Sequence, residues 1–278
     1  MPSQLPDHRT IAFTSSSVPE GYERYLAPVL FGPWAEVLID TVGLHAGDKV
    51  LDVASGTGVV ARLAAARAGS SGRVVASDVS GAMLAHAASV PTSAGGAPIE
   101  YLEASVTELP LDDGSFDVVL CQQGMPFFTD RPRAVAEMLR VLRPGGTLGL
   151  SVWLAGRPLE PFDQYIEALV EAGVEPPFPG AFDSETFKMT SDEVEGVLKA
   201  GGCASLDVRT VERQVSWRDG ESAALGILGT PFAPLLDQLP PNRRDALEAD
   251  LLRRFAPSAS RGAVHRTTVA VIARATTS

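Results

Sequence analysis

The stretch Val50-Leu51-Asp52-Val53-Ala54-Ser55-Gly56-Thr57-Gly58-Val59-Val60 decides the fold. An apolar run ends in an acid, and a small-residue turn with two glycines follows at once. The next residues, Ala61-Arg62-Leu63-Ala64-Ala65-Ala66-Arg67, are helix formers. The order reads as strand, tight turn, helix start. Glycine admits positive φ and lets a ligand approach the backbone. The helix N-terminus adds unpaired N–H groups and a partial positive charge. An acid on the strand side of that turn can hold a cationic or hydroxyl group.

The same alternation continues on both sides. Lys49–Val53, Arg73–Ser77, Ile99–Leu102, Phe116–Cys121 and Thr147–Trp153 read as strands, the second ending at Asp78. Gly58–Ala68, Gly81–Ser89 and Pro132–Val141 read as the helices between them, and Arg143-Pro144-Gly145-Gly146 as a turn. Apolar strands alternating with helices imply a mostly parallel sheet covered on both faces, an α/β, Rossmann-like class. Ligands of such sheets bind beyond the carboxyl ends of the strands, where Asp52, Asp78 and Gln122 fall. Upstream, Gly21–Thr41 carries a helical pattern that Pro28 and Pro33 should break into two pieces. Residues 1 to about 19 are polar and rich in Pro and Ser, as expected of a mobile arm.

Beyond Trp153 the regularity fails. Helices are expected at Phe162–Ala172 and at Ser191–Ala200 with Ser191 as N-cap, and strands at Leu206–Trp217 and His265–Ala273. The division expected is a core at about 45–153, 191–217 and 263–274. Insertions at about 154–190 and 219–260 would form a lid whose Phe162, Tyr165, Phe178, Phe182, Phe187, Leu225 and Phe232 suit a hydrophobic or aromatic ligand.

Composition narrows the function. The 278 residues are 45% hydrophobic and 21% charged, enough for a normal core. A net charge of -11 argues against nucleic acid and against an anionic membrane, because both need clustered Lys and Arg. No run of about 18 apolar residues occurs, and the N-terminus has no secretory signal pattern. Cys121 and Cys203 are too few for a disulfide framework or a zinc cluster, and fit buried thiols in a reducing cytoplasm. His8, His45, His86 and His265 sit in no catalytic pattern.

Four segments together resemble class I S-adenosylmethionine-dependent methyltransferases, especially the small-molecule group with the ubiquinone/menaquinone enzymes. They are 50–58 above, Ala76-Ser77-Asp78-Val79-Ser80-Gly81-Ala82-Met83-Leu84, Leu109-Pro110-Leu111-Asp112-Asp113-Gly114-Ser115-Phe116-Asp117-Val118-Val119, and Glu137-Met138-Leu139-Arg140-Val141-Leu142-Arg143-Pro144-Gly145-Gly146-Thr147-Leu148. The resemblance implies a seven-stranded sheet with an antiparallel last strand, His265–Ala273. It also implies S-adenosylmethionine as cofactor, no metal, and methyl transfer to a small molecule in the cytoplasm, with a homodimer as candidate assembly.

By the same resemblance the turn Ala54, Ser55, Gly56 and Gly58 would underlie the methionine part, with Asp52 near its ammonium. Asp78 would take both ribose hydroxyls, Val79 and Met83 would border the adenine, and Ser105 and Val106 would lie near its amine. Ser105 stands where relatives often carry Asp, and Ala54 where they often carry Gly. Gln122 and Gln123 would position cofactor or acceptor, and Phe127 and Phe128 would line the acceptor pocket. Tyr22 and Tyr25 lie on a segment that folds over the cofactor in relatives. With Gln122 they are the catalytic candidates, although an activated methyl donor needs no fixed base.

Two other readings stay open on these residues. Gly56-x-Gly58-x-x-Ala61 with Asp78 also fits a dinucleotide site. Against it, Asp52 beside the turn would repel a pyrophosphate and attract an ammonium. The fold could also bind the cofactor without transferring methyl, as a cyclase-type catalyst or a partner-binding module.

Overall fold

The alternation folds into one sheet in a computed structural model that describes residues 18–256 and 262–277. Its strands are β1 (Lys49–Val53), β2 (Arg73–Asp78), β3 (Ile99–Glu103), β4 (Phe116–Gln122), β5 (Leu142–Leu154), β6 (Lys188–Met189), β7 (Ser205–Trp217) and β8 (Val264–Thr276). The order is β3-β2-β1-β4-β5-β8-β7, with β6 paired to β5 off this path. Only β8 runs against the others: it is antiparallel to both β5 and β7. The seven-stranded path is the expected one, and the two-residue β6 is an addition. The chain turns from one side of β1 to the other between β3 and β4, so the ligand crevice of such a sheet opens beyond β1, β2 and β4.

Helices cover both faces. They are α1 (Val18–Gly21), α2 (Gly32–Val42), α3 (Val59–Ala68), α4 (Gly81–Ser89), α5 (Arg131–Arg140), α6 (Phe162–Glu171), α7 (Ser191–Ala200), α8 (Gly220–Leu225), α9 (Ala233–Leu236) and α10 (Pro241–Arg254). The buried face of α3 is Val60 with Ala61, Ala64, Ala65 and Ala68, small enough for it to lie close on the sheet and on α2. Burial of such faces, at about 25 cal/mol per Å² of apolar surface, is the main term holding the layers together.

Several local expectations are corrected. The upstream helix does not break in two. It runs from Val18 to Val42, with Tyr22–Phe31 wound as a π-helix that contains Pro28, and Pro33 opens α2. The Gly32 N–H reaches back five residues to the Ala27 carbonyl, so the wider winding carries the chain past the proline. Val18 and Pro19 are buried in this run, so the arm cannot extend to residue 19. Residues 1–17, including His8, lie outside the described residues. Thr190, not Ser191, caps α7, through a capping box with Glu193. The segment 143–146 is a bulge inside β5 rather than a turn before it: pairing jumps from Phe116 with Leu142 to Val118 with Thr147.

Two of the quoted segments are one mechanical unit. Glu137 of α5 accepts the Leu109 N–H at 3.1 Å and pairs with Arg140 at 2.9 Å. Arg140 in turn donates to the carbonyls of Leu109 (2.9 Å) and Leu111 (2.8 Å). The Arg140 hydrogen bonds hold the Glu137 carboxyl below the usual range despite its burial. The Leu-Pro loop after β3 is thereby fixed to the helix behind it.

Candidate active site

The backbone of the glycine turn is held open by conformation. Gly56 (φ 55°) and Gly58 (φ 81°) take the left-handed region, and a side chain added at Gly56 would meet nothing within 4 Å. Gly56 therefore faces open space. Gly58 instead caps α3 beneath the turn, against Ala87 and Arg62, and does not line the cavity. Ala54 is also left-handed, at φ 54°, where an L side chain clashes with its own carbonyl. Ala54→Gly should therefore raise stability by about 0.5–1 kcal/mol, allowing for glycine's extra unfolded-state freedom. Urea denaturation measures it; an unchanged or lower midpoint would mean that lost Ala54 packing outweighs the relieved strain.

Beyond this turn lies a cavity at the crevice edge. Its narrow polar side is walled by Val53, Ala54, Gly56, Ser77, Asp78, Val79, Ser80, Met83, Ser105, Val106 and Gln122. Asp78, at the end of β2, accepts the Gly56 N–H at 2.8 Å and the Ser80 N–H at 2.9 Å. Ser80 caps α4, so one carboxylate joins turn, strand and helix. Burial nonetheless holds the Asp78 carboxyl above the usual range, against those amides. Val79 is 46% exposed, an unusual position for a large apolar side chain, and it borders the cavity.

Asp52 lies behind the turn, 1% exposed. Neither of its oxygens has a hydrogen-bond partner among the described residues. Burial drives its carboxyl well above the usual range, and Asp78 adds repulsion. The Ala61 amide and Arg62 pull the other way without overcoming burial. An orphaned buried carboxylate costs stability unless a cation or donor reaches it. Ser55 Oγ and Gln122 Oε1, close by in sequence and sheet, are likewise buried without partners. The Gln122 amide nitrogen donates to the Phe31 carbonyl at 2.8 Å, which ties β4 to the π-helix.

The wider end is apolar. Leu26 and Phe31 of the π-helix, Phe127 and Phe128 after β4, Trp153 of β5, and Leu159, Phe162, Phe187, Pro231 and Phe232 from the later segments wall it. Phe31 stacks on Tyr22 (4.6 Å between ring centres) and Phe127 lies 5.7 Å from Phe187. Of the seven side chains expected of a lid, Phe162, Phe187 and Phe232 reach the cavity. Tyr165 and Phe178 are buried in the core behind them, and Phe182 packs on Phe232. Phe31, Trp153, Leu159 and Pro231 were not foreseen. Trp153 lies one residue before the end of β5, on the ligand edge, so strand position alone could have found it.

Tyr22 lines the cavity, whereas Tyr25 does not and instead lies beneath the Arg24 guanidinium. The Tyr22 phenol is pushed well above its ordinary pKa, first by burial and then by Glu23, Asp52 and Asp78. Cys121, sealed in β4, is pushed up to about 12, chiefly by burial. Neither can serve as an anionic base at neutral pH. Gln123 is left-handed at φ 59°, and its Oε1 accepts the Trp153 N–H at 2.8 Å. Among the described residues no group of His, Cys, Asp and Glu is arranged to hold a metal ion.

A further contact lies beside the turn, outside the cavity lining. Glu23 accepts from Thr57 Oγ1 at 2.6 Å and forms an ion pair with Arg62. The Arg62 guanidinium also reaches the Thr57 carbonyl. The π-helix is therefore fastened to the glycine turn.

Comparison with known proteins agrees with this geometry. Residues 51–150 match the family described as methyltransferase domain. A ubiquinone/menaquinone biosynthesis C-methyltransferase of Francisella philomiragia is 35% identical over 171 residues, 58% of this chain and 65% of the relative. One from Idiomarina loihiensis is 40% identical over 114 residues, 41% and 45% of the two chains. The chain thus spans less than two thirds of the length of these relatives. Among solved structures, YcgJ of Bacillus subtilis has a TM-score of 0.54 at 19% identity, covering 87% of this chain and 97% of that one. Haemonchus contortus phosphoethanolamine N-methyltransferase 2, crystallised with S-adenosyl-L-methionine, has a TM-score of 0.57 at 16% identity, covering 100% and 62%. These structural likenesses bear on the fold.

Sheet order and glycine turn agree with the methyltransferase-domain match over residues 51–150. Over the matched segments the chain is similar to the ubiquinone/menaquinone biosynthesis C-methyltransferases.

Proposed function

We propose that this protein transfers the methyl group of S-adenosylmethionine to a small, hydrophobic or aromatic acceptor. The observation that carries the reading is Asp78 in the cavity wall at the end of β2, with Asp52 buried behind the adjoining glycine turn near the end of β1. Asp52 is orphaned and needs a cation, and Asp78 is pinned at the mouth where a ribose diol would meet it. The residues fit the cofactor: Asp52 would face the ammonium, Ala54, Ser55 and Gly56 would underlie the amino-acid part, and Asp78 would take the hydroxyls. Val79, Met83, Ser105 and Val106 would enclose the adenine. A pyrophosphate placed over Asp52 would be repelled, which disfavours a dinucleotide.

When bound, the cofactor supplies an already activated methyl on a sulfonium. The protein's own work is then alignment and exclusion of water. The aromatic end orients a flat acceptor, and Gln122, tied to Phe31, sets the wall where β4 ends. Segments 154–190 and 219–256 serve as the lid over a core of about 45–153, 191–217 and 263–274; the rest of the second insertion expected, 257–260, lies outside the described residues. An electron-rich carbon, a neutral amine or a readily ionised hydroxyl would suit such a site as acceptor, because each reacts without a fixed base. No described helix is long and apolar enough to cross a membrane. The reading places the protein in the cytoplasm, with a homodimer as the assembly to test and no nucleic-acid partner.

Titration with S-adenosylmethionine in a calorimeter tests the cofactor. Formation of S-adenosylhomocysteine with a panel of hydroxylated and quinonoid aromatics tests the transfer. The absence of both binding heat and thermal shift would end this reading.

A further inference from the structure

We propose that the ring of Tyr22 is the protein's contact for the positively charged sulfur of the cofactor, and so the residue that separates cofactor from spent product. The inference rests on the pocket reading above and deepens it.

Tyr22 cannot move freely. Its neighbour Glu23 is bonded to Thr57 at 2.6 Å and paired with Arg62, so the main chain here is held across the glycine turn. From the other side Gly229 abuts it so closely that an added Cβ would lie 2.6 Å from both Tyr22 N and Cα. The ring is stacked on Phe31, 17° from parallel. It lines the same cavity as Val53, Ala54, Asp78 and Gln122.

In a ligand laid from Asp52 to Asp78, the sulfur lies between the amino-acid part and the ribose. Tyr22 stands where the two ends of the cavity meet: its ring stacks on Phe31 of the apolar end, and its neighbour Glu23 is bonded to Thr57 of the glycine turn, so a ligand spanning both ends passes beside it. The same surroundings keep the phenol protonated, so the wall offered is a neutral, electron-rich ring. A cation beside such a ring gains about 0.5–2 kcal/mol, between roughly twofold and thirtyfold in affinity. The thioether left after methyl transfer carries no charge and loses this attraction.

The test compares the affinities for S-adenosylmethionine and S-adenosylhomocysteine by calorimetry. Tyr22→Phe keeps a ring and should preserve the ratio of the two. Tyr22→Leu should weaken S-adenosylmethionine at least about fivefold and S-adenosylhomocysteine less than about twofold. Pentafluorophenylalanine at position 22 keeps the shape and removes the ring's negative face; it should act like leucine, and it serves where Tyr22→Leu fails to fold. Equal weakening of both ligands, or of neither, would overturn the assignment while leaving the proposed function intact. Failure of both ligands to bind the unaltered protein would instead remove the proposed function.

Discussion

Asp52→Asn is expected to make the ligand-free protein more stable and to weaken S-adenosylmethionine at least about 100-fold. The two signs are opposite because one buried charge serves one purpose only. Asp52 is 1% exposed and both oxygens lack partners, so ionising it in the empty protein is unfavourable. Asparagine keeps the shape and removes the charge, which should add about 1–3 kcal/mol at neutral pH. The pH dependence follows from the direction of the shift. A carboxyl whose folded pKa is raised favours the folded state fully below its unfolded pKa. That contribution is lost as pH rises through the folded pKa. The stability gap between Asp52→Asn and the unaltered protein should therefore open across that window and close in acid. Carboxyls held low, such as Glu137 and Asp117, slope the other way but cancel in the difference. Below the raised Asp52 value, ligand binding should also release a proton, seen as a heat that varies with the buffer's ionisation enthalpy. A gap that stays constant from acid to neutral pH would contradict this account.

Gly229→Ala should have the second large effect. Gly21 and Gly229 meet backbone to backbone: a Cβ at Gly21 would lie 2.4 Å from the Leu228 carbonyl oxygen, and one at Gly229 within 2.8 Å of Tyr22 and Gly21 main chain. Main-chain atoms cannot swing aside, so the added methyl must push the π-helix from the segment at 226–229. Overpacking of this kind costs about 1–3 kcal/mol. Tyr22 on one side and Pro231 and Phe232 on the other all wall the cavity, so cofactor affinity should fall by about tenfold as well. Gly196→Ala is the control. That glycine lies inside α7 with nothing within 4 Å, and alanine there should stabilise by about 0.5–1 kcal/mol. Equal midpoints for Gly229→Ala and the unaltered protein in denaturant would show that the contact can yield.

The polar half of the site was legible in the sequence, and the apolar half in part, through Phe127, Phe128, Phe162, Phe187 and Phe232. Asp52, Gly56 and Asp78 lie within one strand–turn–helix unit and the next strand end, where short-range rules fix geometry: parallel pairing puts Asp52 opposite Ala76, two residues before Asp78. Phe31, Leu159 and Pro231 converge from three separate stretches of chain, through packing that no local pattern encodes. The same holds for the continuous upstream helix. Pro28 predicts a break by removing an i→i−4 bond, but a π-helical winding bypasses that requirement. Gln123 carries no sequence sign of its left-handed backbone, whereas for Ala54 the glycine common in relatives is such a sign.

The Glu23 fastening has a consequence for the tempo of turnover. Because it fastens the π-helix bearing Tyr22 to the glycine turn, exchange of spent for fresh cofactor in the proposed site would require this ion pair, with both partners largely withdrawn from water, to part. Departure, rather than the bond-making event, would then govern each cycle. Rapid-quench traces should display one fast turnover per protein molecule followed by a slower steady phase, and Glu23→Gln should speed only the latter. A trace linear from its first point would locate the bottleneck in the chemistry instead.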